Sequence, residues 1–195
     1  MMTNVPTSAF LVCGRTPSEL AASVACAEGL KTVLRAAGFP CGAYRTAIPR
    51  LSRQSIDETC AALTALCAAA DLVLTVGCEG FGKGSILPDV TALVCPREAA
   101  YFTGVLCGAS PLVPTSPPAA VRPVGKSRPA PFSRAVAGIR DDVLVLNFSN
   151  DTPAAVSLLT ALLPAVRFSV LALTGNSAED LRAFEAAARR DFPAV

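Results

Sequence analysis

The stretch Asp71 to Val90, DLVLTVGCEGFGKGSILPDV, restricts the fold more than any other part of the chain. An apolar run, Leu72 to Val76, stops abruptly at Gly77, and four glycines then fall within eight residues: Gly77, Gly80, Gly82 and Gly84. Pro88 marks where a helix can begin, because proline is tolerated in a first helical turn. A buried strand feeding a glycine-rich turn and then a helix is how α/β proteins hold an anion. Backbone N–H groups converge on a ligand only where no Cβ blocks the approach. A plain loop could have the same glycines; the strand directly before them favours an anion site. Gly77, Gly80, Gly82 and the hydroxyl of Ser85 are then the expected phosphate cradle, and Lys83 a candidate cation.

The segments before this stretch supply its frame. Ser8 to Cys13 suits a buried strand. Thr16-Pro17-Ser18-Glu19 is a helix start, with Thr16 as N-cap and apolar residues recurring at helical spacing until Gly38 and Pro40 end the element. Cys41 to Ile48 suits a second strand, and Ser52 can cap a second helix reaching Ala70. This β-α-β-α-β order implies a parallel sheet with helices on both faces, in which ligands bind beyond the carboxyl ends of the strands.

Downstream, a helical stretch is expected from Pro88 to about Cys107, interrupted near Pro96. Residues 109 to 131 contain seven prolines and are expected to form an extended insert within a single domain spanning 1–195. Arg134 to Ile139 and Val143 to Asn147 read as two strands around an Arg140-Asp141-Asp142 turn. Asp151 or Thr152 can cap a helix ending at Leu163 before Pro164. Val166 to Leu173 reads as a further short helix, and Ala178 to Arg190 as an amphipathic last one. Between Thr152 and Gly175 only Arg167 is charged, but Pro164 and Arg167 leave apolar runs too short for a membrane span.

Composition removes several chemistries. Histidine is absent, which excludes Ser-His-Asp and Cys-His catalysis and most zinc sites; no zinc is expected. The net charge of +2 and the lack of tryptophan give no footing for nucleic-acid binding. The eight cysteines form no C-x-x-C pair and follow no secretory signal, so reduced core thiols in a cytoplasmic protein are expected. Cys78, inside the glycine loop, is the one with a conceivable reactive role.

Gly77 to Lys83 nearly fits a nucleotide-binding P-loop, G-x-x-x-x-G-K-[ST], but the position for the magnesium-binding Ser or Thr is Gly84. The fuller match is elsewhere. Thr75 to Val90 resembles the TGGTGFxPRDVTPEA loop of the MoaB/Mog domain, the molybdopterin-binding domain of molybdenum-cofactor biosynthesis shared with gephyrin. Gly77, Gly80, Phe81 and Pro88 match, and Asp89 follows the proline. Arg97-Glu98-Ala99 resembles the REAPG that follows. Phe132 to Asn150 resembles the second family block, LSRxVxGIRxxxLIxNLPG, through Ser133, Arg134, Val136, Gly138, Ile139, Arg140, Leu144 and Asn147. Leu162 to Val166 resembles the LLPAL after it, so the likeness covers about residues 8 to 174.

The resemblance implies a three-layer α/β/α fold with a mostly parallel central sheet. It implies molybdopterin, ATP and Mg2+ as ligands, adenylyl transfer from ATP to the terminal phosphate of molybdopterin, and a homotrimer without nucleic-acid or membrane partners. It assigns pterin and phosphate contacts to Gly77, Gly80, Phe81, Gly82, Lys83, Ser85, Ser133, Arg134 and Asn147, with Asn147 closing the pocket. Arg134 and Arg140 are candidate phosphate cations or ordinary hairpin charges.

The departures fall on charge. Ser85 stands where the family loop has an aspartate, and Arg50 where the family has the aspartate of its PDE motif; the SD-rich turn after the first strand is reduced to Cys13-Gly14-Arg15. Neither serine nor arginine replaces a carboxylate at magnesium, although Arg50 could hold a phosphate directly. Glu79 and Asp89 remain as catalytic candidates, and Glu79, Asp89 and Asp151 as metal candidates. Three readings follow: a molybdopterin adenylyltransferase with rearranged ligands, a degenerate pterin- or nucleotide-binding scaffold, and an unrelated P-loop-like nucleotide-binding protein.

Overall fold

Side chains of the central strands divide between two buried faces, and this division sets the layers. In β1 (Ser8–Cys13), Phe10 and Val12 enter one core while Ala9, Leu11 and Cys13 enter the other. β3 (Leu72–Val76) and β6 (Val143–Phe148) repeat the pattern: Leu72, Leu74, Val76, Leu144, Leu146 and Phe148 join Phe10, and Val73, Val143 and Val145 join Leu11. Strands buried on both faces belong to a sheet covered by helices on both sides. The computed structural model describes residues 6–108 and 133–175. The proline-rich insert expected at 109–131 and the helix expected at 178–190 lie outside the described residues.

The first face is covered by α1 (Pro17–Ala36), α4 (Ala100–Leu106) and α5 (Thr152–Leu173), and the second by α2 (Arg53–Cys67) and α3 (Leu87–Val94). With β2 (Cys41–Ala47), β4 (Arg97–Glu98) and β5 (Ala137–Arg140), the described residues form a six-stranded sheet in the order β2-β1-β3-β6-β5-β4. The β2-β1, β1-β3 and β3-β6 pairs are parallel; β5 is antiparallel to β6 and β4 to β5. This is the expected α/β/α architecture with a mostly parallel sheet.

The helix starts follow the caps read from sequence. Thr16, Ser52 and Asp151 each accept a hydrogen bond from the backbone N–H three residues on, at Glu19, Ser55 and Ala154.

Three local expectations are corrected. The helical stretch after Pro88 is two short helices separated by β4: Pro96 drives Cys95 into extended backbone (φ −102, ψ 106), which ends α3. The strand expected from Arg134 begins only at Ala137, because the N–H of Val136 donates to the side-chain Oδ1 of Asn147 rather than to the ladder. Pro164 does not end a helix: α5 runs unbroken through it for 22 residues. An interior proline costs about 3 kcal/mol, whereas burying one Val or Leu side chain returns about 1.5–3 kcal/mol. Leu159, Leu162, Val166 and Val170 are all buried on this helix, so packing outweighs the break. By length and composition alone the continuous helix could cross a membrane. Ala155, Leu159, Leu162, Val166 and Val170 join the core that α1 also enters.

Candidate functional site

The chain leaves β1 toward the first helical face and leaves β3, its neighbour, toward the second. A crevice opens at the carboxyl ends of strands where the winding reverses in this way. Two turns border it: residues 14–16 after β1, and the glycine loop, 77–86, after β3.

Gly77 makes the loop's sharp exit. Its φ of +84 is left-handed, and a Cβ there would stand 2.2 Å from the carbonyl oxygen of Cys13 and 2.5 Å from Oγ of Ser23. Its N–H donates to Phe148 O at 2.9 Å, which ties the loop to the end of β6. Cys78 follows with φ +50, strained for a residue with a side chain. The N–H of Ser85 donates to Gly82 O and that of Leu87 to Cys78 O. Among the described residues, the amides of Gly80, Phe81, Gly82 and Lys83 have no backbone acceptor. The loop tip, Phe81 to Lys83, faces solvent, with Phe81 68% exposed, while Glu79, Gly84 and Ser85 are buried. The bend therefore offers donors at an open tip on a fixed base.

The second sequence block meets this tip. The N–H of Arg134 donates to Glu79 O at 3.1 Å, and its Nη2 to Asp89 Oδ1 at 2.6 Å. Its guanidinium lies 5.9 Å from the Phe81 ring centre. Oγ of Ser133 accepts the N–H of Ala135 and closes the turn that aims Arg134. Gly77, Gly80, Phe81, Gly82, Lys83, Ser85, Ser133 and Arg134 are thus brought to one end of the sheet.

Asn147 lies below them with a different occupation. It is 1% exposed; its Oδ1 accepts from Val136 N–H, and its Nδ2 donates to Oγ1 of Thr75 and Oγ1 of Thr91 at 2.7 and 2.8 Å. Its amide fastens β3, β6, α3 and the Arg134 turn together. Arg140, expected to be either a phosphate cation or an ordinary hairpin charge, lies away from the loop. It pairs with Val143 at the opposite end of β6 and donates to Val94 O.

Sequence reasoning passed over Arg15. The β1 turn presses its side chain onto the glycine loop: a Cβ at Gly82 would stand 2.2 Å from Nη1, and one at Gly84 would stand 3.4 Å from Cγ. The carboxylate of Glu19 takes Nε and Nη2 side-on and also accepts the N–H of Arg15. Hydrogen bonding to Glu19 holds the Arg15 pKa above its ordinary value. Pro49 also reaches this loop, its carbonyl oxygen 3.6 Å from the Cβ position of Gly84, which brings the backbone beside Arg50 to the same rim. The signal that could have found Arg15 is the strand order, since the β1 turn faces the β3 turn in this winding.

The residues present do not fit a magnesium ion. Asp89 is paired with Arg134, Asp151 caps α5 through Ala154 N–H and Glu19 is held by Arg15, so the buried Glu79 is one carboxylate where magnesium takes several oxygen ligands. Among the described residues no three of His, Cys, Asp and Glu gather as metal ligands would. Burial pushes the Cys78 thiol up to about 11, with Glu19 adding to the shift, so the thiol in the loop is protonated at neutral pH.

The fold and the loop define a doubly wound α/β domain with a glycine-rich turn at the reversal of the sheet. No family model matches the sequence. Among solved structures, the molybdopterin biosynthesis enzyme MoaB of Thermus thermophilus superposes with a TM-score of 0.67 at 23% identity, over 88% of this chain and 98% of that one. The Mog protein of Mycobacterium ulcerans gives 0.65 at 16% identity, over 89% and 100%. The tungsten cofactor synthesizing MoaB of Pyrococcus furiosus gives 0.59 at 18%, over 87% and 96%. The chain has the MoaB/Mog fold.

Proposed function

We propose that this chain acts in molybdenum-cofactor biosynthesis by binding the phosphate end of a molybdopterin at the 77–86 loop. The observation that carries the reading is the glycine turn at the sheet reversal, its tip amides without backbone acceptors among the described residues and its flank set by Arg134. The names of the structurally similar proteins support the pathway. The exposed ring of Phe81 offers a flat face for a heterocycle beside the anion.

Of the two forms of this reading, binding without adenylyl transfer has the better support. An adenylyltransferase handling ATP with Mg2+ needs carboxylates, and Asp89 and Asp151 are engaged elsewhere while Ser85 and Arg50 replace the family aspartates. The test mixes purified protein with molybdopterin, ATP and magnesium. Calorimetric binding of molybdopterin without adenylated product is the expected result. Adenylated molybdopterin formed with turnover would establish the adenylyltransferase form, ATP hydrolysis independent of pterin would favour the P-loop-like reading, and no binding would refute the proposal. A homotrimer belongs to the same reading and is tested by light scattering on the eluted protein.

A further inference from the structure

We propose that Arg15 supplies, in place of a metal ion, the positive charge that neutralises the oxyanion at the glycine loop, with Glu19 holding the guanidinium in position until the anion arrives. The inference rests on the phosphate-site reading above and names how that site meets its ligand's charge: a terminal phosphate or diphosphate is bound without a divalent cation.

Three independent features carry it. The first is place: the β1 turn and the β3 turn border the crevice formed by the reversed winding, and Arg15 spans it from one to the other. The second is contact: Nη1 lies where a side chain at 82 would stand, so the guanidinium rests on the bend whose tip amides lack backbone acceptors among the described residues. The third is the disagreement over magnesium: three of the carboxylates at this end are engaged, Glu19 by Arg15, Asp89 by Arg134 and Asp151 by the N-terminus of α5.

Glu19 does not cancel Arg15. Its carboxylate takes Nε and Nη2 from one side and leaves Nη1 toward the loop. The two side chains are 33% and 31% exposed, so a ligand entering from solvent can reach the guanidinium while it stays paired with Glu19. A guanidinium meets two phosphate oxygens at once through parallel N–H groups, geometry an ammonium lacks. Free magnesium complexes a diphosphate and lowers the charge it presents to Arg15, so magnesium is a competitor at this site.

The experiment is calorimetry with inorganic pyrophosphate, in EDTA and in excess magnesium, on the full chain and on Arg15→Met, Arg15→Lys and Gly82→Ala. Binding in EDTA no weaker than in magnesium is expected. Arg15→Met loses about tenfold to a hundredfold in affinity, Arg15→Lys recovers only part of it, and Gly82→Ala, which displaces the guanidinium but keeps its charge, also weakens binding. Thermal melts of all three variants confirm folding. Binding that requires magnesium, an Arg15→Met variant that binds like the unmodified chain, or no pyrophosphate binding in either buffer overturns the inference. Molybdopterin titrated in parallel separates it from the pathway reading. Arg15-dependent pyrophosphate binding without molybdopterin binding keeps the inference and refutes the pathway; molybdopterin binding indifferent to Arg15 does the reverse.

Discussion

Replacing Asn147 by alanine distinguishes a structural node from a ligand contact in one variant. The amide makes three side-chain hydrogen bonds in a fully buried place, to Val136 N–H, Thr75 and Thr91. Each net bond contributes about 1 kcal/mol, and leaving the Val136 donor without its acceptor adds about 1 kcal/mol or more. The expected loss for Asn147→Ala is therefore about 3–5 kcal/mol, a large part of the roughly 5–15 kcal/mol that holds a typical domain together. Urea unfolding followed by far-ultraviolet dichroism reads it as a lower midpoint at unchanged slope. Thr75→Val, which removes one partner and keeps the shape, should cost about 1 kcal/mol. The double variant should recover about 1 kcal/mol of coupling, because the shared bond is then removed only once. If Asn147 instead faced a ligand, its loss would abolish binding and leave the midpoint almost in place. A midpoint shift worth under about 1 kcal/mol, or zero coupling to Thr75, refutes the reasoning.

Three further outcomes follow from the same structure. Gly77→Ala and Gly38→Ala place a Cβ at nearly the same left-handed φ, +84 and +85, but only the first meets atoms, Cys13 O at 2.2 Å. Gly38→Ala should cost about 1–2 kcal/mol and Gly77→Ala several more, and equal losses in urea would remove the steric argument. Pro164→Ala should raise stability by about 1–3 kcal/mol by restoring an N–H to the Thr160 carbonyl inside α5; a lower melting temperature would mean that the bend is needed for packing. Burial pushes the thiols of Cys26 and Cys67 up to about 11 and that of Cys95 to about 12, with Cys13 raised as well. Below about pH 7.5 these groups are protonated in both states and stability is flat. Above it the unfolded thiols ionise first, so each buried thiol lowers stability by about 1.4 kcal/mol per pH unit until its folded pKa is passed. A urea midpoint unchanged between about pH 8 and pH 10 would contradict the burial of these thiols.

Most of the fold is legible because its determinants are local. Thr16, Ser52 and Asp151 cap helices whose sequences announce them, and the runs at 8–13 and 72–76 are too short and apolar to be anything but buried strands. What escapes is set by tertiary partners. β4 has two residues, and only Ile139 and Gly138 across the ladder define it. The continuity of α5 through Pro164 depends on the stripe from Leu159 to Val170 meeting α1. The start of β5 depends on an asparagine side chain, Asn147, that lies on the neighbouring strand.

The glycine loop is equally legible and Arg15 is not, for one physical reason. A loop that approaches an anion declares itself by lacking side chains, a property of consecutive residues. The charge that balances the anion is under no such constraint; it can come from any strand whose carboxyl end lies alongside. Here Arg15 is separated from the loop by more than sixty residues of chain, and the pairing Val12↔Val76 closes the distance. On the proposed role of Arg15, the bend can be kept with Ser85 and Arg50 where the resemblance puts aspartates. Backbone amides and a helix-side arginine both favour an oxyanion, whereas carboxylates near it are tolerable only with a cation between. On the proposal that Arg15 faces the anion, Ser85 and Arg50 at positions where the resemblance puts aspartates shift the charge of this end of the sheet the same way as Arg15 does.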